Sequence, residues 1–139
     1  MTRMVIGVGN TARGDDAAGV VAAQRAGARG LVASAPFQLI DLWEGADDVV
    51  VVDAARSGAP PGTIHRFEAA SQPLPTGMLG GSTHAIGVAE VVEMARALDR
   101  LPERLTVYGI EVGGLFHGSA LSPEVEAAVD TVVAEVGGA

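Results

Sequence analysis

The sequence predicts a three-layer α/β/α sandwich on a mainly parallel sheet, and three observations carry that expectation. Short apolar runs bounded by Gly, Asn, Asp or Pro alternate with longer stretches of helical spacing, the pattern of repeated strand–helix units. Val49 to Val52 are four consecutive valines, which marks a strand buried on both faces and so covered by helices above and below. The length of 139 residues, 48% hydrophobic and 19% charged, suits one domain over residues 1–139 with a self-sufficient core.

The elements follow in order. Met4 to Gly9 is a short apolar run ending in Gly-Asn, a buried strand entering a loop. Asp15-Asp16 opens an Ala-rich stretch through Ala28, a helix with acids in its first turn. Phe37 to Asp41 reads as a second short strand, and the valine run ending at Asp53 as the third. Pro60-Pro61-Gly62 is a turn, and Thr63 to Phe67 an edge strand, because His65 and Arg66 are awkward in a sheet centre. Ser71 to Ser82 is a loop. Val88, Val91, Val92, Ala95 and Leu98 then form one helical face. Leu105 to Val112 is another strand. Ser122-Pro123-Glu124 starts a last helix with the stripe Val125, Val129, Val132, Val133 and Val136.

Composition excludes several kinds of chemistry. Seventeen acids against nine bases give a net charge of -8, every base is Arg, and there is no Lys and no Cys. Nucleic acid is not an expected partner, since phosphate binding depends on clustered cations. P-loop and Schiff-base chemistry lack their lysine, and thiol catalysis and thiolate metal sites lack their cysteine. No run approaches the ~20 apolar residues of a membrane helix, so the expectation is a cytoplasmic protein with no membrane partner.

Sheets of this class bind ligands beyond the carboxyl ends of their strands, so candidate residues are sought there. Gly7-Val8-Gly9-Asn10-Thr11-Ala12 fits a loose dinucleotide fingerprint, with Asp41 as the ribose-binding acid. Asp15 and Asp16 oppose it, because two carboxylates at a helix start repel a pyrophosphate. Asp15 reads as a helix cap. Asp16, Asp53 and His84, from two strand ends and a helix start, form a candidate metal site of two carboxylates and one imidazole. A helix start disfavours a charged His84 and so favours the neutral, metal-ligating form. Such a donor set suits Ni, Cu, Zn or Fe better than Mg or Ca. No serine lies in a G-x-S-x-G elbow. His65 and His117 are expected on the surface, and Trp43 is open between exposed contact and partial burial.

Taken in order, the motifs resemble the nickel-iron hydrogenase maturation endopeptidases. The blocks are Ile6-Gly7-Val8-Gly9-Asn10, Gly14-Asp15-Asp16-Ala17-Ala18-Gly19-Val20, Val50-Val51-Val52-Asp53-Ala54, Pro61-Gly62-Thr63, Ser82-Thr83-His84 with Gly87, Val107-Tyr108-Gly109-Ile110-Glu111 and Leu121-Ser122-Pro123-Glu124-Val125. The resemblance implies a five-stranded sheet and the trio Asp16, Asp53 and His84 as metal-binding and catalytic residues. It implies an endopeptidase that removes the C-terminal extension of a hydrogenase large subunit precursor after nickel insertion. The nickel would arrive with the substrate, and Zn or Cd could substitute for it in vitro. Three departures stand out. Asp16 replaces the family's common Glu, Val112 replaces a Pro, and Asp41-Leu42-Trp43-Glu44-Gly45 occupies the place of an Asp-Gly-Gly-Thr-like segment and helix. The last suggests that a surface element is shortened or missing. A non-catalytic metal-binding accessory of hydrogenase assembly therefore stands as the alternative, with a nucleotide-binding domain third.

Overall fold

The computed structural model describes residues 3–9, 17–75, 77–79, 87–112 and 121–137. Five strands form one sheet: β1 (Arg3–Val8), β2 (Gly30–Ala33), β3 (Asp48–Ala55), β4 (Ile64–Glu68) and β5 (Arg104–Glu111). Their order is β2-β1-β3-β5-β4, and only β4 runs antiparallel. The helices are α1 (Ala18–Arg25), α2 (Leu39–Trp43), α3 (Val88–Ala97) and α4 (Pro123–Gly137).

The valine strand is the centre of this arrangement. All eight residues of β3 are buried, with β1 parallel on one side and β5 parallel on the other. Alternation along β3 divides the core in two. Val49, Val51 and Ala55 pack with Leu39 and Trp43 of α2 and with Val88, Val91 and Val92 of α3. Val50, Val52 and Ala54 pack with Ala18 and Ala22 of α1 and with Val125, Val129 and Val132 of α4. The three-layer α/β/α sandwich and the edge position of β4 are as the sequence leads one to expect.

Three details differ. The second strand is Gly30–Ala33, and Phe37 to Asp41 is instead a 3-10 turn over Pro36–Gln38 leading into α2. The apolar residues there follow helical spacing, since Leu39 and Trp43, four apart, are the buried pair. The surface helix after the second strand is therefore present, in short form. The helix expected to run to Ala28 ends at Arg25, and Gly27, at a φ of 77°, turns the chain. Trp43 is 2% exposed and donates its indole N–H to the Arg100 carbonyl at 2.9 Å. An indole buried with its donor satisfied is a core anchor.

Helix α1 meets the sheet through two glycines. A Cβ on Gly7 would stand 2.0 Å from the Gly19 carbonyl oxygen, and one on Gly19 would stand 2.3 Å from the Val52 oxygen and 2.6 Å from the Val8 oxygen. Backbone is touching backbone there, and no rotamer change can relieve an added methyl. Gly7→Ala is accordingly expected to lower stability by about 1–3 kcal/mol, a drop in Tm of roughly 3–10 °C. Exposed Gln24→Ala on the outer side of α1 should stay within ~0.5 kcal/mol of wild type. Thermal unfolding of both variants checks the pair, and equal Tm values would contradict the contact.

Candidate active site

The strand order reverses between β1 and β3. From β1 the chain passes through α1 to β2 on one side, whereas the strands reached after β3 lie on the other. The carboxyl ends of these two strands form the switch point at which open α/β sheets bind ligands. Asp53 stands there. It is one residue beyond the Gly7–Val52 pair and is 2% exposed. Its Oδ1 accepts the Ala54 amide at 2.8 Å. In register Asp53 faces Gly109, so the neighbouring strand places no side chain beside the carboxylate.

Of the sequence-predicted trio, Asp53 is the member that the structure describes. Asp16 and His84 lie outside the described residues, as do Asp15 and His117. The described chain reaches the edges of both gaps. Ala17 immediately precedes α1, whose Gly19 abuts Val52. Leu79 forms a bridge with Ala55, two residues past Asp53, and a Cβ on Gly87 would lie 3.2 Å from the Leu79 oxygen. The described chain beside these two gaps thus reaches the end of β3 from opposite faces of the sheet.

A second buried carboxylate lies on the same face one strand away. Glu111 pairs with Ala55 in register and is 2% exposed. Its Oε1 accepts the Ser57 hydroxyl at 2.7 Å, and its Oε2 accepts the Ser57 amide at 2.8 Å. The ring Nε2 of His65 stands 3.0 Å from Oε1 and 3.5 Å from the Ser57 hydroxyl. His65 is half-buried, not a plain surface residue, and its ring stacks on Phe67 with centroids 6.5 Å apart. These three residues are not a hydrolytic triad. In a triad the imidazole stands between serine and acid, but here the serine donates directly to the carboxylate and the same ring nitrogen faces it. The cluster ties the β3–β4 connection to the end of β5, assisted by the Gly62 amide on the Glu111 carbonyl at 2.8 Å. In the sequence Glu111 stands out only as the end of the Val107–Glu111 block. Its signal was an acid closing an otherwise apolar strand, as Asp53 closes the valine run.

Two expectations for nucleotide binding fail on geometry. Asp41 is exposed on α2 and ends no strand. Gly7 is required for the approach of α1, a role in packing.

With fold and site geometry in view, the domain is an α/β/α sandwich with a buried acid at its topological switch point. The chain belongs to the hydrogenase maturation protease family, whose profile matches residues 33–138. It is 33% identical over 134 residues to the hydrogenase expression/formation protein HupD of Thiocapsa roseopersicina, covering 88% of this chain and 60% of that protein. The HupD of Bradyrhizobium diazoefficiens is 30% identical, with 88% and 69% covered. The chain thus spans three-fifths of the length of the Thiocapsa relative. Among solved structures it resembles the hydrogenase maturating endopeptidase HybD from E. coli, with a TM-score of 0.75 at 23% identity over 98% of this chain and 90% of that one. The maturation protease HybD from Thermococcus kodakarensis gives a TM-score of 0.69 at 21% identity, covering 96% and 95%. Both structures share the fold.

The Glu111 cluster has a consequence for acid stability. Burial alone would push the Glu111 carboxyl up, but hydrogen bonds from the Ser57 hydroxyl and amide and from His65 outweigh it and hold the group below its ordinary value. A depressed carboxyl contributes stability above its ordinary pKa and loses it as pH falls through the folded value. Glu111→Gln should therefore reduce unfolding free energy by about 1–3 kcal/mol at pH 7. The difference should shrink as pH drops below roughly 4. Urea unfolding of both proteins across that range measures it, and a pH-independent difference would refute the assignment.

Proposed function

We propose that the chain is an endopeptidase that removes the C-terminal extension of a nickel-loaded hydrogenase large subunit precursor, and that Asp16, Asp53 and His84 form its active site. The observation that carries the reading is the buried Asp53 carboxylate at the switch point of a chain belonging to the maturation protease family. Two carboxylates and one imidazole are a donor set suited to a borderline divalent ion such as nickel. The nickel is cargo of the precursor. With His84 neutral, the two carboxylates match the charge of a divalent ion, and in a partly desolvated site that attraction is far stronger than at the surface. The ion thereby marks a finished precursor and brings the scissile bond to the edge of the sheet. Water then adds to the peptide carbonyl, and the departing amine takes up a proton.

Recognition through cargo predicts selectivity. The chain lacks an H-E-x-x-H helix, the arrangement of self-contained zinc proteases, so unfolded proteins should be left intact. The accessory reading rested on a surface element shortened or missing, and α2, five residues long after β2, is present in short form. Among the described residues no helix is long and apolar enough to cross a membrane.

The test incubates nickel-loaded and nickel-free precursor with wild type and with Asp53→Asn and reads the mass of the large subunit. Wild type should process the loaded precursor alone, and Asp53→Asn should process neither while unfolding like wild type. Processing of both precursors alike would end the nickel-gated reading, and processing of neither would return the accessory reading. Independently, calorimetry should find Ni, Zn or Cd binding that weakens at least about tenfold in His84→Ala and Asp16→Asn. Unchanged binding in both variants would remove the trio.

A further inference from the structure

We propose that Leu79 is a positioning residue of the proposed active site: its side chain lies across the end of β3, with its tip on the bare Gly109, and keeps water from the Asp53 carboxylate. The inference rests on the reading of Asp53 as a nickel-recognising group.

The backbone places the residue. β1 pairs with β3 as far as Gly7 and Val52, so beyond that pair the side of β3 toward β1 is left for another segment. Successive residues of a strand turn their N–H and C=O groups to opposite sides. The Ala55 carbonyl faces β5, where it accepts the Val112 amide at 3.0 Å. The Arg56 amide faces the other way and donates to the Met78 carbonyl at 2.8 Å. Leu79, next in the chain, bridges Ala55 antiparallel. Residues 77–79 thus form a strap in the place that β1 vacates.

The side chain of Leu79 reaches back over the strand. A Cβ on Gly109 would stand 2.8 Å from Leu79 Cδ2, 3.1 Å from the Ala55 Cβ and 3.7 Å from the His65 Cβ. Gly109 is in register with Asp53 on β3 and with His65 on β4. The tip of Leu79 therefore fills the gap in a row of three residues, beside Asp53. Its backbone lies on one side of β3 and its tip ends on the other, so the side chain crosses the strand at the level of Asp53 and Ala55. Leu79 is 8% exposed and Asp53 2%. Gly109 has ordinary strand backbone, so what its missing side chain provides is the seat for Leu79. The strap is itself held, because Ser57, the residue after Arg56, is fixed to Glu111 through its amide and hydroxyl. The chain leaving β3 is pinned to the strap on one side and to β5 on the other.

An apolar cover of this kind sets the local dielectric. Asp53 Oδ1 accepts the Ala54 amide at 2.8 Å, and dryness strengthens both that bond and the attraction of the carboxylate for a cation. The apolar shell around a metal-recognising group controls solvent access in the same way. Truncating Leu79 admits water, loosens the carboxylate and weakens recognition.

The test compares Leu79→Ala, the volume-conserving Leu79→Met, and Leu105→Ala, which truncates a 1% exposed leucine at the amino end of β5. Exchange of the Ala54 amide proton, measured relative to that of Val51 on the same strand, needs neither nickel nor precursor. That ratio should rise about tenfold in Leu79→Ala and keep its wild-type value in the other two. Nickel affinity by calorimetry should fall about tenfold in Leu79→Ala alone. The KM for nickel-loaded precursor should rise about tenfold in that variant with kcat within about twofold, whereas loss of folded enzyme lowers kcat alone. An unchanged exchange ratio overturns the inference even if activity falls. A raised ratio with nickel affinity and KM unchanged makes Leu79 a packing residue and overturns it too, as do equal effects in Leu105→Ala. A wild type that neither binds nickel nor processes precursor overturns the nickel reading itself, and the role of Leu79 with it.

Discussion

The contact between Gly7 and Gly19 sets how closely α1 lies on the carboxyl edge of the sheet. It lets α1 lie directly on the ends of β1 and β3, with the Val8 and Val52 oxygens within reach of the helix backbone. A side chain at either position would lift the helix by the thickness of a methyl group. The salt bridges from Arg25 to Glu126 and Asp130, both at 2.6 Å, then tie α1 to α4 on the outside of the same layer. Those pairs are exposed and contribute little individually, so the glycine contact fixes the geometry and the ion pairs trim it.

The two ends of the sheet divide the work. At the amino ends of the strands, Arg3 bonds Asp48 at 3.3 Å and the Val136 carbonyl at 3.0 Å, closing β1, β3 and α4 together. This is a structural use of charge, with cation and anion paired across strands. At the carboxyl ends the buried charged side chains among the described residues are both acids, Asp53 and Glu111. Desolvating a carboxylate costs stability unless its oxygens are bonded, and Glu111 meets that cost with bonds from Ser57 and His65.

How much of this was legible in the sequence depended on how many residues each signal used. The valine run, the α4 stripe and the edge strand with His65 and Arg66 each combine pattern with chemistry over several residues, and each stands where expected. The second strand failed because four residues, Gly30 to Ala33, are too few to show alternation, while Phe37 to Asp41 held enough apolar residues to imitate a strand. Only the four-residue separation of Leu39 and Trp43 distinguished it, and one such pair is a small sample of helical period. Asp53 was legible because an acid ends an apolar run. Glu111 had the same signal, but its partners Ser57 and His65 come from another strand and a loop, and contact at separations of 54 and 46 residues leaves no local trace. The loose dinucleotide fingerprint misled for a related reason. Glycine before a helix serves close packing as readily as phosphate binding, and sequence alone does not separate the two.

The two acids also show why similar positions need not share a role. Asp53, two residues before the end of β3, and Glu111, the last residue of the neighbouring parallel β5, face the same side of the sheet and are equally buried. Their surroundings differ. Glu111 is gripped by hydroxyl, amide and imidazole, so both of its oxygens are committed and the loop from Ser57 to Gly62 is held against β5. A carboxylate bound in that way is an anchor, and the serine bound to it has its proton directed away from any histidine that could act as a base. Asp53 faces the bare Gly109 at the switch point, where α1 and the Leu79 bridge converge from opposite faces. The anchor thus steadies the chain beside the carboxyl edge, while Asp53 holds the switch-point position on which the proposed activity rests.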